Sequence, residues 1–284
     1  DAVVVGLPTK SMAPFFLGPG IDGKGEVDGF SVNGADHWYT LPAHRVRTMN
    51  NALAQETFLP GWLRAVGPGW VSWGVESFLD EIADQQGEDP VALRLKLLDA
   101  VGKNAGDTAS TVGGAKRLAA VLKDVTRRAE WGRQMPVNEG LGVAVGHGQE
   151  RGMPTWVACV AHVAVDVASG EVALKKLWQT IDVGTVVNPD GAMAQAEGAA
   201  LWGVSLALHE GARFNAGEVA EQNLDRYTPL RMRDVPELDI SFVDSQEFPS
   251  GLGEPPLIPV APAIGNAVFA ATGQRVRKSP IRLA

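Results

Sequence analysis

A mixed α and β fold is what this sequence predicts, and three observations predict it. Apolar residues recur at helical spacing after Glu76, β-branched and small residues alternate or run together after Asn138, and Gly/Pro/Asn/Asp clusters punctuate the chain between them. The length of 284 residues corresponds to about two domains of typical size. The division reads as an α+β segment over residues 1–137 and a second over 138–284.

The elements follow in chain order. Residues 2–7 form an apolar strand-like run, and up to about Gly61 the chain is irregular, with short β-type runs at 30–32 and 38–40. From Glu76, Phe78, Leu79, Ile82 and Ala83 mark one helical face, and Gly87 ends the helix. Asp89-Pro90 reads as an N-cap with proline in the first turn, launching a helix over 91–100. A further helix covers 115–131. Strands are expected at 140–148 and 156–166, with a hairpin at 168–170 leading into 171–187. An Ala/Gly-rich helix over 192–209, a polar loop region, a strand at 238–243 and an apolar helix over 262–272 complete the chain.

Composition narrows the function classes. Twenty-five Lys+Arg against 33 Asp+Glu leave a formal charge of −8, which disfavours a nucleic-acid partner because counterion release needs clustered cations. The single cysteine, Cys159, cannot form an intrachain disulfide or hold an iron–sulfur cluster, and its apolar neighbours mark it as a buried thiol. No apolar run reads as long enough to span a bilayer, and no secretory signal is visible. Phosphate-loop, HExxH and GxSxG signatures are absent, and the five histidines show no metal-ligand spacing.

Three segments hold candidate chemistry. In GLGEPP, residues 251–256, Glu254 lies between a glycine that permits close approach and a proline that stiffens the chain. In an apolar pocket such a carboxyl is suited by desolvation to take a proton near neutral pH, whereas an exposed loop glutamate would have the same sequence. Gln195 on the Ala/Gly-rich helix can donate and accept hydrogen bonds at once, as a solvated helix glutamine also would. Residues 64–69, RAVGPG, read as a loop whose amides could meet a phosphate or cofactor edge.

Read together and in order, four blocks resemble the molybdenum-binding large subunit of the xanthine oxidase family, in its isoquinoline 1-oxidoreductase β-subunit and membrane-bound aldehyde dehydrogenase branch. They are LRAVGPGWVSWGVESFLDEIADQQGEDPVALRLKLL (63–98), IDVGTVVNPDGAMAQAEGAALWGVSLALHE (181–210), NLDRYTPLRMRDVPELDI (223–240) and GLGEPPLIPVAPAIGNAVFAATGQRVRKSPI (251–281). The resemblance implies the C-terminal part of a molybdenum hydroxylase large subunit, an α+β arrangement of mixed sheets with packed helices. It implies an enzyme that oxidises an aldehyde or N-heteroaromatic substrate with water as the oxygen source.

On that resemblance Glu254 matches the catalytic base, Gln195 and Arg64 match cofactor-contacting positions, and Gly253 belongs to the same cofactor loop. Val66 matches a substrate-pocket position that is aromatic in xanthine oxidases, and its smaller side chain offers no face for purine stacking. The implied cofactor is molybdopterin cytosine dinucleotide with molybdenum, and no metal-ligating side chain is assigned to this chain. The family's glycine-rich molybdenum loop and MGQG-like cofactor loop occur nowhere in these residues. A separate chain or fragment is therefore expected to supply the remainder of the subunit, with [2Fe-2S] on another subunit and a c-type cytochrome as a further partner. Relatives of this branch imply a periplasmic or membrane-associated enzyme, with a cytoplasmic one as the alternative. A family member that kept the fold without metal, as a structural or small-molecule-binding module, is the alternative function.

Overall fold

The computed structural model describes residues 2–5, 17–19, 26–28, 33–35, 37–49, 63–99, 114–150 and 153–283. Its centre is a four-stranded sheet. Strands β5 (Glu139–Glu150), β6 (Met153–Asp166) and β7 (Glu171–Asp182) form an antiparallel meander, and β10 (Glu237–Phe242) joins the β7 edge in parallel. Smaller pairings lie outside it. Strand β1 (Ala2–Val5) runs parallel to β4 (Val46–Met49), β2 (Leu17–Pro19) pairs with β3 (Glu26–Asp28), and β8 (Phe214–Asn215) pairs with β9 (Glu218–Val219).

Helices cover both faces of the sheet, so its strands carry apolar residues on both sides. On one face Val143, Val145, Trp156, Ala158 and Val160 pack against α1 (Val66–Gln86), α2 (Pro90–Leu97) and α3 (Gly114–Arg128). On the other, Ala144, Cys159, Ala161, Val163 and Leu177 pack against α4 (Pro189–Leu208) and α5 (Val260–Thr272). Cys159 is fully buried, and desolvation pushes its thiol far above the ordinary range, as expected of an inert core cysteine.

Strand β5 explains how α5 reaches the sheet. Every second residue from 140 to 148 is Gly or Ala, so one face of the strand has almost no side chains. A Cβ on Gly142 would stand 2.1 Å from the Ala267 nitrogen and 2.3 Å from the Ala263 carbonyl oxygen. Further along, a Cβ on Gly146 or Gly148 would meet Ile258 at 2.7 or 2.8 Å. The glycine row thus seats α5 and the 3-10 turn Pro255–Leu257 flat on the strand, directly after Glu254.

Several expected boundaries move. Helix α1 begins at Val66 rather than Glu76, because Gly67-Pro68-Gly69 forms its first turn, where proline loses no helical hydrogen bond. Helix α4 begins at Pro189, three residues earlier than expected, with Asn188 Oδ1 accepting from the Gly191 N–H. Asp89 caps α2 as expected, accepting from Val91 and Ala92, but the helix ends at Leu97. The third strand stops at Asp182 instead of 187. Residues 38–40 are buried coil, not strand, and the run at 30–32 lies outside the described residues. The segment Pro255–Thr272 is long and apolar enough to span a bilayer, with mean hydropathy 1.2, which corrects the sequence reading; 72% of it is buried, as in the core helix of a soluble fold.

Candidate functional site

The site begins with a backbone irregularity. Ala65, the N-cap of α1, and Val66, its first residue, both have positive φ, 75° and 37°. For a β-branched residue this is a strained conformation that the surroundings must hold. The turn aims the Ala65 N–H, which α1 itself leaves without a helical acceptor, at Glu254 Oε1, 3.2 Å away. The carboxylate thereby sits at the positive end of a 21-residue helix.

Arg64, just ahead of the turn, reaches the same loop. Its Nε donates to the Gly253 carbonyl and its Nη2 donates to the Gln195 carbonyl at 3.2 Å. Burial lowers the affinity of the half-buried guanidinium for its proton, while the neighbouring Glu254 charge acts in the opposite direction. Gly253 lies against the Gln195 side chain: a Cβ there would stand 3.4 Å from Gln195 Nε2. On α4, a Cβ on Gly198 would stand 3.7 Å from Arg64 Nη1. Beneath this surface Ala65, Ala199, Leu257 and Ile258 form a small buried cluster that ties the three segments together.

Arg64, Gln195, Gly253 and Glu254, separated by up to 190 residues (254 − 64), thus meet at one place, with Val66 half-buried beside them on the first turn of α1. The surroundings of Glu254 are more polar than the apolar pocket expected: the carboxylate is half-buried, with a backbone N–H and a guanidinium at hand. Sequence reading missed the residues behind the site. Thr155 and Gln179, fully buried on β6 and β7, hydrogen-bond the Gly251 and Pro256 carbonyls at 2.5 and 2.6 Å. Their signal was polar residues inside apolar strand runs, where burial demands a partner.

No group of three or more His, Cys, Asp or Glu suited to a metal exists among the described residues. His37 and His44 rings stand 4.4 Å apart, and His162 pairs with Glu139 at 2.6 Å. The groups brought together are a carboxylate, a guanidinium and an amide, with Gly198 and Gly253 beside them. Such a donor set suits an oxygen-rich anionic cofactor whose metal is held by its own ligands.

Solved molybdenum-containing oxidoreductases share this arrangement of sheet, helices and loop, which gives the fold class as that of the molybdenum hydroxylases. The aldehyde oxidoreductase from Desulfovibrio desulfuricans ATCC 27774 superposes with a TM-score of 0.73 at 16% identity, covering 89% of this chain and 44% of that one. Quinoline 2-oxidoreductase from Pseudomonas putida 86 gives 0.72 at 12% identity, covering 89% and 55%.

Sequence comparison narrows the class. Residues 97–236 match the molybdopterin cofactor-binding domain. A membrane-bound aldehyde dehydrogenase [pyrroloquinoline-quinone] of Gluconacetobacter polyoxogenes is 52% identical over 278 residues, 98% of this chain and 36% of the relative. Isoquinoline 1-oxidoreductase subunit beta of Brevundimonas diminuta is 29% identical over 244 residues, 86% of this chain and 29% of the relative. The chain belongs to the xanthine oxidase family of molybdenum-binding subunits, in the branch of these two relatives. It spans about a third of the length of these curated relatives.

Proposed function

We propose that this chain is the part of a molybdenum hydroxylase that carries the catalytic base, in an enzyme oxidising an aldehyde or N-heteroaromatic compound with water as the oxygen source. One observation carries the reading: Glu254 is held by the Ala65 N–H at the mouth of α1, beside Arg64 and Gln195. When bound, the molybdenum cofactor supplies the two-electron redox chemistry. The protein's own share is orientation and proton transfer. Because Oε1 takes the Ala65 N–H, Oε2 is the atom of Glu254 that accepts the proton. Arg64 and the Gln195 amide hold the cofactor edge, with Gly253 beside them in the loop that carries Glu254. Val66 borders the substrate, and its aliphatic side chain favours an aldehyde over a purine.

Molybdopterin cytosine dinucleotide is the form of cofactor we assign. The family resemblance supports an assembly with a [2Fe-2S] subunit and, further on, a c-type cytochrome, since the single cysteine of these residues cannot hold such a cluster. The rest of the molybdenum-binding subunit completes the site, and the resemblance to a membrane-bound relative supports a membrane-associated, periplasmic enzyme.

The test is analysis of the natively purified enzyme that contains this chain. We expect one molybdenum per chain, CMP on acid hydrolysis, and 18O from labelled water in the acid formed from an aldehyde. A molybdenum-free enzyme, or one that yields a quinone on extraction, contradicts the proposal.

A further inference from the structure

The loop that presents Glu254 is gripped through its carbonyls from three separate elements. Arg64 takes the Gly253 carbonyl from the front, as described. From behind, Thr155 on β6 donates its hydroxyl proton to the Gly251 carbonyl at 2.5 Å. Because that proton is committed, the 2.8 Å contact between Thr155 Oγ1 and Ser250 Oγ has Ser250 as the donor. Gln179 on β7 donates from Nε2 to the Pro256 carbonyl at 2.6 Å. The three gripped carbonyls bracket Glu254 on both sides, at residues 251, 253 and 256.

Neither rear contact is explained by ordinary sheet stability. Thr155 and Gln179 are fully buried; Thr155 faces Gly148 across the sheet, and Gln179 lies between Cys159 and Ile240. Among the described residues Gln179 Oε1 has no hydrogen-bond partner, although Cys159, its cross-strand neighbour, lies at the same amide. An aliphatic side chain would fill the site without that unmet acceptor. What glutamine provides there, besides its hydrogen bond with Cys159, is one N–H directed at the loop.

We propose that Thr155 and Gln179 are positioning residues, which fix the Glu254 carboxylate for proton transfer by holding the Gly251 and Pro256 carbonyls. The inference rests on reading Glu254 as the base. A loop that shifts by about 1 Å costs on the order of a hundredfold in rate at a positioned group, so loss of either grip registers in turnover before it registers in binding.

The test uses the complete enzyme with Thr155→Val, Thr155→Ser and Gln179→Met, which change the donors and nearly keep the volumes. Three readouts are taken: amide hydrogen exchange over residues 250–258, molybdenum content, and kcat with KM. Thr155→Val and Gln179→Met are expected to raise exchange in that segment and lower kcat by roughly ten- to a hundredfold. KM stays within about twofold, molybdenum content is unchanged, and Thr155→Ser restores both exchange and kcat. Unchanged exchange in both variants overturns the proposal, and so does raised exchange with a normal kcat. If Gln179→Met does not assemble, the Val and Ser pair at Thr155 decides alone. Glu254→Gln, measured alongside, separates the two claims. Normal turnover there removes the reading of Glu254 as base, whereas an inactive Glu254→Gln beside fully active Thr155 and Gln179 variants removes only the positioning.

Discussion

Arg94 has no exposure to solvent, yet its charge is met on several sides. Its Nε donates to Glu76 Oε2 at 2.9 Å, its Nη2 to the Glu76 carbonyl at 2.8 Å, and its Nη1 to the Pro90 carbonyl at 3.0 Å. Glu76 also accepts from the Tyr39 hydroxyl at 2.8 Å and the Val145 N–H at 3.0 Å. This network joins α1 to α2, to β5 and to the coil around residue 39, and so braces the helix whose first turn holds Glu254. Removing one partner leaves a buried charge without compensation. Arg94→Met is therefore expected to lower unfolding stability by about 3–5 kcal/mol, read from denaturant titration. A loss below about 1 kcal/mol would mean that the network contributes little. Burial first, and then the Glu76 charge, push the Tyr39 phenol well above its ordinary value of 10.0. The folded state thus keeps a proton that the unfolded chain releases, so stability held below pH 10 declines as pH rises toward the folded value. Tyr39→Phe should flatten that alkaline decline in unfolding free energy measured between pH 8 and 11.

Strand β5 and helix α5 show what glycine spacing decides at the scale of elements. Gly142→Ala would drive a Cβ to 2.1 Å from the Ala267 backbone, which neither element can yield to. We expect a loss of about 1–3 kcal/mol, read as a lowered Tm. Gly74 is the control. It lies exposed in α1 with nothing within 4 Å of its absent Cβ, so Gly74→Ala should stabilise by about 0.5–1 kcal/mol. The elements themselves were largely legible from periodicity and caps: Asp89-Pro90, Gly87 and the β-branched strands all declare themselves. The start of α1 was not, because Gly67-Pro68-Gly69 has turn composition and only packing makes it a first helical turn. The glycine row of β5 was visible as composition, but its meaning depends on a helix more than a hundred residues away.

At the scale of the molecule the sheet is the frame on which three distant segments converge. Arg64, Gln195 and Glu254 could be named only through the resemblance of four ordered blocks to a known family, since each string taken alone reads equally well as a turn, a solvated helix residue or an exposed loop. Their meeting could not be read from the sequence, because it depends on a left-handed turn at Ala65 and on the seat that β5 gives to the residues after Glu254. Thr155 and Gln179 stayed silent for a related reason: a polar side chain within a strand shows its purpose only through the carbonyl it meets.

The most direct measurement is steady-state turnover of Glu254→Gln in the complete enzyme, with molybdenum content measured in parallel. The account predicts full metal content, KM within about twofold, and kcat reduced by roughly two to four orders of magnitude, as for the loss of a positioned base. A kcat within about threefold of the parent enzyme, at equal metal content, would contradict it.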